Sequence, residues 1–333
     1  MSSTHRSLGR MLLLAVAALL LLVLASLLFG AGQVSPWRSL MTLGGAADPS
    51  ARFVIIELRL PRTLLGILVG VALGAAGTVL QSATRNPLAE PGLLGVSAGA
   101  SFAVVLAVSL GTSSSSANLA VAISGALIGC ALVMLVTRVR GVGDDPVRLV
   151  LAGAAFSSIL FAASTLIMLY DQRTADDIRF WIIGALAGRP NDVLVWTLPG
   201  LLLGLLVLLP IIRPLAALAL GETMASGLGH HPRVTRIVAL FSVAILVGTA
   251  VAAAGPISFV GLVVPFIARR LAGPDVRRAL LLALLIGPSI LLMADIFSRL
   301  LVKPYELPIG VVTAFIGAPV LIAVVRNHRI PRL

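Results

Sequence analysis

Apolar residues run along this chain in long unbroken blocks separated by short polar and charged clusters, with neither the strict alternation of a half-buried strand nor the 3.6-residue stripe of a soluble amphipathic helix. The uncharged blocks are Met11–Gly30, Thr63–Thr84, a double-length block Pro91–Thr137 broken by GTSSSSAN, Leu149–Tyr170 and Val193–Ile212. Three more follow: Ile237–Ala268, long enough for one span and a second that proline interrupts, then Ala279–Ala294 and Leu307–Val325. A helix needs about 20 apolar residues to cross a bilayer. The pattern therefore predicts an all-α polytopic membrane protein of about ten transmembrane helices, a single domain over residues 1–333. Met11–Gly30 exceeds the apolar core of a secretory signal and reads as a retained span.

Composition agrees with a bilayer location. Hydrophobic residues make up 59% of the 333 positions and charged residues 11%, and the mean hydropathy is +1.08. Orientation follows from the arginines, because cytoplasmic loops retain positive charge. With both termini cytoplasmic, the inner segments hold sixteen of the 25 Lys and Arg residues. Three outer clusters break the trend: Arg52, Arg59 and Arg62; Arg173, Arg179 and Arg189; Arg299 with Lys303. The net charge of +12 is spread over short loops, which suits topology and anionic headgroups rather than nucleic acid.

Catalytic chemistry finds little support. Gly95–Gly99 has the G-x-S-x-G spacing of a hydrolase nucleophile, yet none of the four histidines lies in an apolar block to serve Ser97 as base. Small residues in that stretch suit close helix packing instead, with Gly95, Ala98 and Gly99 as the contact face. No phosphate-binding G-x-x-x-x-G-K motif is present and Lys303 is the sole lysine, so ATP hydrolysis would fall to another polypeptide. Adjacent His230 and His231 lack metal-ligand spacing, and Cys130, the single cysteine, reads as a small core residue. Asp295 and Arg299 are spaced to pair on one helix face, a thin basis for the ion-coupled carrier that is the alternative transport mechanism. No catalytic group, metal or cofactor is expected.

Two loops carry more information. Arg85–Gly95, RNPLAEPGLLG, holds two prolines and predicts a stiff cytoplasmic connection with a helix starting near Gly92. Arg213–Arg236 is the longest cytoplasmic segment. It predicts a short helix around Leu215–Leu220, a turn at Gly221, a second helix over Glu222–Leu228 and a stop at Gly229 before Pro232.

Four long motifs in register, RLPRTLLGILVGVALGAAGTVLQSATRNPLAEPGLLGVSAGAS, ALGETMASGLG, GPISFVGLVVPFIARRLAGPDVRR and ADIFSRLLVKPYELPIGVVTAFIGAPV, resemble the permease subunits of the iron-siderophore, haem and cobalamin (FecCD-type) ABC importers from Arg59 to Arg326. The resemblance implies a multi-pass subunit of the bacterial plasma membrane. Its implied partners are a second permease, identical or homologous, two ATPase subunits, and an extracytoplasmic substrate-binding protein. The substrate would be a metal chelate, a ferric siderophore first, with haem or cobalamin as alternatives.

The same resemblance implies roles for individual residues. Glu222, Met224, Ala225, Gly227, Leu228 and Gly229 would form the ATPase-coupling helices. Arg59, Arg62 and Arg299 would dock the binding protein through its carboxylates. Asn86 and Leu88 match a cytoplasmic gate, Asp144–Val147 lie near a second gate, and Ser157, Ser158 and Thr313 would face the pathway.

Overall fold

The structure, a computed structural model, describes residues 8–32, 34–45, 48–112, 118–138, 146–179, 181–302 and 305–326. Among these, helices are present and strands are not. In chain order the helices are α1 (Leu8–Leu28), α2 (Pro36–Leu43), α3 (Pro49–Phe53), α4 (Leu60–Thr84), α5 (Val96–Ser109), α6 (Asn118–Arg138), α7 (Pro146–Tyr170) and α8 (Gln172–Ile178). Then come α9 (Asp192–Leu208), α10 (Ile212–Ala219), α11 (Glu222–Gly227), α12 (Pro232–Ala254), α13 (Val260–Ala272), α14 (Val276–Leu300) and α15 (Ile309–Arg326).

Each apolar block read from the sequence has become a helix. Six stretches of the described residues are long and apolar enough to cross a bilayer: Leu8–Leu28, Pro49–Thr84, Leu151–Tyr170, Asp192–Ala219, Pro232–Ala254 and Val276–Leu300. Val96–Ser109, Leu119–Leu135 and Ile309–Ile322 are shorter apolar helices. The block at 237–268 divides into two helices, as its length predicted: Gly255 ends α12 at φ 74°, and α13 resumes at Val260 with only 13 residues and Pro265 inside it. What the pattern did not show is the cover of short helices between α1 and α4, which includes a π-helical turn over Val54–Arg59.

α4 is the centre of the bundle and packs on α14, α12 and α13. Its glycines explain how closely. A Cβ at Gly70 would lie 2.5 Å from the Cα of Pro288 in α14, and one at Gly77 would lie 1.9 Å from the carbonyl oxygen of Gly261 in α13. In lipid, where tails are as apolar as leucine, such backbone approach supplies the van der Waals contact that holds helices together. α1 is the opposite case. It exposes leucine along most of its length and fully buries only Ser26; one side, with Met11, Leu12 and Ala15, rests on the core, and the rest is left to lipid.

The hydrolase-like stretch now has a packing role. Gly99 meets α6 at Gly125 and Gly129, and its Cβ would sit 2.3 Å from the Gly125 carbonyl oxygen. Gly99→Leu should therefore prevent α5 from seating on α6, at a cost of about 3 kcal/mol or more for an overpacked contact, whereas Gly9→Leu, with nothing within 4 Å of the added Cβ, should be neutral. Thermal unfolding of the purified variants checks this; equal midpoints for both would remove the α5–α6 contact from the account.

Candidate functional site

The end of the bundle where α1 and α14 finish and α4 begins is the one that the arginine distribution predicts to face outward. A charged cluster is built there from the last turn of α14 and the first of α4. Arg62 Nη2 and Arg299 Nη2 each lie 2.7 Å from Asp295, on Oδ1 and Oδ2 respectively. Arg62 also reaches Glu306 at 2.5 Å. The pairing of Asp295 with Arg299 anticipated from their i,i+4 spacing is present, with a second arginine added.

Arg59 and Arg299 then do something the sequence did not suggest. The last carbonyls of a helix lack intrahelical partners, and at membrane depth no water is available to supply them. Arg59 Nη1 donates to the carbonyls of Leu27 and Leu28 at 2.8 Å, and Arg299 Nη1 to those of Ser26 and Phe29 at 3.0 Å. Ser26 Oγ adds a contact of 2.7 Å to Thr63 and accepts from Arg299 Nη2 at 2.7 Å. Two cations at the negative end of the α1 dipole are favourable, and Asp295 compensates the charge of Arg299. Arg59 is 4% and Arg299 2% exposed, so neither guanidinium lies on the outer surface where a docking residue was expected. Arg62, beside half-exposed Glu306, keeps more access.

Beside Arg62 opens a cavity of about 250 Å³ walled by Glu57, Arg62, Leu186, Arg189, Val193 and Glu306. Arg189 Nε donates to the Ala185 carbonyl at 3.1 Å, while its Nη2 is buried without a partner among the described residues. Burial pulls this guanidinium down to about 10.

At the opposite end, predicted to face the cytoplasm, the loop between α9 and α12 folds as the sequence predicted. α10 and α11 meet at Gly221, whose φ of 121° suits glycine, and α12 begins at Pro232. Leu220, Met224 and Leu228 recur every fourth residue and are all more than half exposed. Ala225 is buried beneath them, while Gly227 and Gly229 are exposed and have no neighbour that a Cβ would meet. Glu222 pairs with Arg236 at 2.5 Å, and Arg236 Nε donates to the Ala83 carbonyl at 3.2 Å. This link joins the α11 turn to the end of α4. His230 and His231 make backbone contacts: the His230 N–H donates to the Ala225 carbonyl, and the His231 carbonyl receives Thr235.

The loop after α4 is held by its own polar groups. Arg85 ends the helix at φ 51°, Asn86 Oδ1 accepts from the Leu88 N–H at 2.9 Å, and the chain then makes a 3₁₀ turn over Pro91–Leu94 before α5. Asn86 and Leu88 are half-buried neighbours of one turn. Glu90 reaches across to accept the Phe259 N–H at the start of α13; desolvation raises the Glu90 pKa above the ordinary carboxylate value and this amide partly offsets it. Ser157 Oγ in α7 donates to the Gly92 carbonyl at 3.3 Å, which attaches α7 to the loop, while Ser158 is exposed and bonded within its own helix.

Thr313 differs from the expectation of a pathway lining. It is 3% exposed and faces Phe259, Val260 and Val263 in a small gap between α15 and α13, because α15 turns Phe315 and Ile322 outward instead. Asp144 and Asp145 lie outside the described residues.

Residues 18–327 match the model of the FecCD transport family. The chain belongs to that family. It is 44% identical over 315 residues to the ferric enterobactin transport system permease protein FepD of Escherichia coli, covering 93% of each chain. It is 34% identical over 330 residues to the Fe(3+)-citrate import system permease protein YfmD of Bacillus subtilis, covering 98% of each. A solved structure described as an inward-facing metal-chelate type ABC transporter superposes with a TM-score of 0.81 at 29% identity, covering 96% of this chain and 99% of that one. FecCD proteins are membrane permeases of ABC importers, and this one is accordingly a multi-pass plasma-membrane permease.

Within this FecCD permease, sequence reasoning missed Glu90, Arg189 and Arg236. Their types and spacings carry no motif; Glu90 gains meaning from Phe259, Arg236 from Glu222 and Ala83 together, and Arg189 from the cavity it walls.

Asp295→Asn should leave two buried guanidiniums without their shared counter-charge. A loss of about 3–5 kcal/mol is expected, the range for removing one partner of a buried pair. Thermal unfolding in detergent measures it; a shift no larger than that of an exposed Arg38→Gln control would show that the cluster does not hold the outer end together.

Proposed function

We propose that this chain is one of two permease subunits in an importer that takes a ferric chelate, a siderophore first, from an extracytoplasmic binding protein and releases it into the cytoplasm. Two separate ATPase subunits supply the hydrolysis. In this reading the chain passes the membrane ten times with both ends inside; α5, α6, α13 and α15 make up the four short passes. The FepD and YfmD relatives, both named for ferric chelates, support the substrate class.

The observation that carries the reading is the exposure of Leu220, Met224 and Leu228. Three large apolar side chains left exposed around one turn mark a surface that another protein covers, and their place between two long helices lets a push on them reach α12 and, through Glu222 and Arg236, the end of α4. ATP closing the motor would move α10 and α11, and the gate loop attached to α4 would follow. On the outer face, Arg62 is the docking arginine that keeps access; Arg59 and Arg299 support it from beneath by fixing α1. The charge cluster speaks against an ion-coupled carrier, since Asp295 is shared by two arginines and sits at one end rather than at midplane.

Vesicles containing this subunit, its ATPase and its binding protein should take up a ferric siderophore only when ATP is supplied, and more than ferric citrate, haem or cobalamin. Met224→Glu with Leu228→Glu should weaken ATPase binding roughly thirtyfold, the equivalent of about 2 kcal/mol at an interface anchor. Uptake without ATP, or unchanged ATPase affinity, would overturn the reading.

A further inference from the structure

The break between α12 and α13 holds a residue in an unfavourable conformation. Phe259 has φ 69°, the left-handed region that a side chain with a Cβ rarely enters. Three contacts hold it there. Its N–H, at the N-cap of α13 and outside the helical ladder, is accepted by Glu90 Oε1 from the gate loop. Next to that bond, Pro91 of the same loop lies against Gly261, whose Cβ would be 3.0 Å from Pro91 Cδ. On its far side the Phe259 side chain presses on α15, where a Cβ at Gly317 would be 2.2 Å from Phe259 Cβ.

One residue thus touches the gate loop with its backbone and α15 with its side chain. Beyond this contact α15 rests on α13 and α14 and is held at its start by Gly310, which packs on the Ile183 carbonyl and donates to that of Gly184, while Phe315 and Ile322 are exposed on its other side. A turn held in a strained backbone state, in part by an acceptor from another loop, is suited to be the discrete element that coupling between sites requires.

We propose that Glu90 is a positioning residue that clasps the gate loop to the α12–α13 break, and that Phe259 passes the position of that loop to α15. When the loop moves, the Glu90 bond is lost, Phe259 leaves the left-handed region, and α15 gains freedom against α13 at Gly317. The inference rests on the permease reading above, and the bond acceptor is what matters in it, not the charge of Glu90.

The test uses the assembled complex with a Cys130→Ala, Phe315→Cys background, which leaves one exposed thiol on α15. Its reaction rate with a charged thiol reagent is compared with and without a non-hydrolysable ATP analogue. With native Glu90 the nucleotide should change the rate about fivefold or more, the low end of measured site-to-site coupling. Glu90→Gln keeps a carbonyl acceptor for the Phe259 N–H and should retain that response; Glu90→Ala should lose it while still binding the ATPase. Should Glu90→Ala fail to assemble, Phe259→Gly keeps the left-handed backbone, removes the side chain, and should lose the response as well. A full response in Glu90→Ala or Phe259→Gly, or its loss in Glu90→Gln, would overturn the clasp. An unresponsive complex with native Glu90 would instead count against the permease reading of α10 and α11, and the clasp would fall with it.

Discussion

Backbone-to-backbone contact along α4 is the constraint on which the rest of this permease depends. At Gly70, Gly74 and Gly77 the helix lies so close to α14 and α13 that an added methyl would enter a neighbouring backbone. Contacts of that kind do not slide, because every side chain that could give way is absent. α4 and α14 therefore behave as one rod pair, and both functional ends are fixed to it. One end carries Arg62 and Asp295; the other runs into the loop after α4 and meets Arg236.

The outer cluster answers a problem peculiar to membranes. α1 is a helix that fully buries only Ser26, and its last carbonyls would otherwise be stranded. Arginines from the ends of two other helices satisfy them, and the Asp295 carboxylate balances Arg299. The cluster is thus a structural joint between α1, α4 and α14. Excess positive charge on the face where the topology rule disfavours it was a sign of this requirement, and docking was the reading that the exposed geometry of a surface arginine would have supported.

Much of the fold was legible in the chain because hydropathy has to match the bilayer. The helix boundaries, the division of the 237–268 block and the α10–α11 pair all followed from apolar runs punctuated by glycine and proline, whose effects are local. The site was legible only in part. The paired short helices could be read because turn and stop signals are local as well, whereas the exposure of Leu220, Met224 and Leu228 came only with the structure. Arg59 and Arg299 could not be placed inside, since the partners of their guanidiniums are backbone carbonyls, which leave no trace in the sequence. Thr313 was expected on the pathway from its hydroxyl, but rotation of α15 is set by Phe315, Gly317 and the Phe259 wedge, a packing result that composition does not encode. Glu90 stood inside a quoted motif and gained its role from an amide 169 residues away.

The central claim is that α4 and α14, locked by backbone contact, move as a single body when α10 and α11 are pushed, so that helices outside the lock, among them α7, which buries little of its surface in its own chain, change their distance from the pair. Spin-label distances test it most directly in the assembled complex, with labels at exposed Leu64 of α4, Leu281 of α14 and Ile159 of α7 and Cys130 replaced by alanine. On binding a non-hydrolysable ATP analogue, the Leu64–Leu281 distance should hold steady while Leu281–Ile159 changes by more than about 2 Å, beyond an ordinary small helix shift. A change in Leu64–Leu281 as large as that in Leu281–Ile159 would contradict the account.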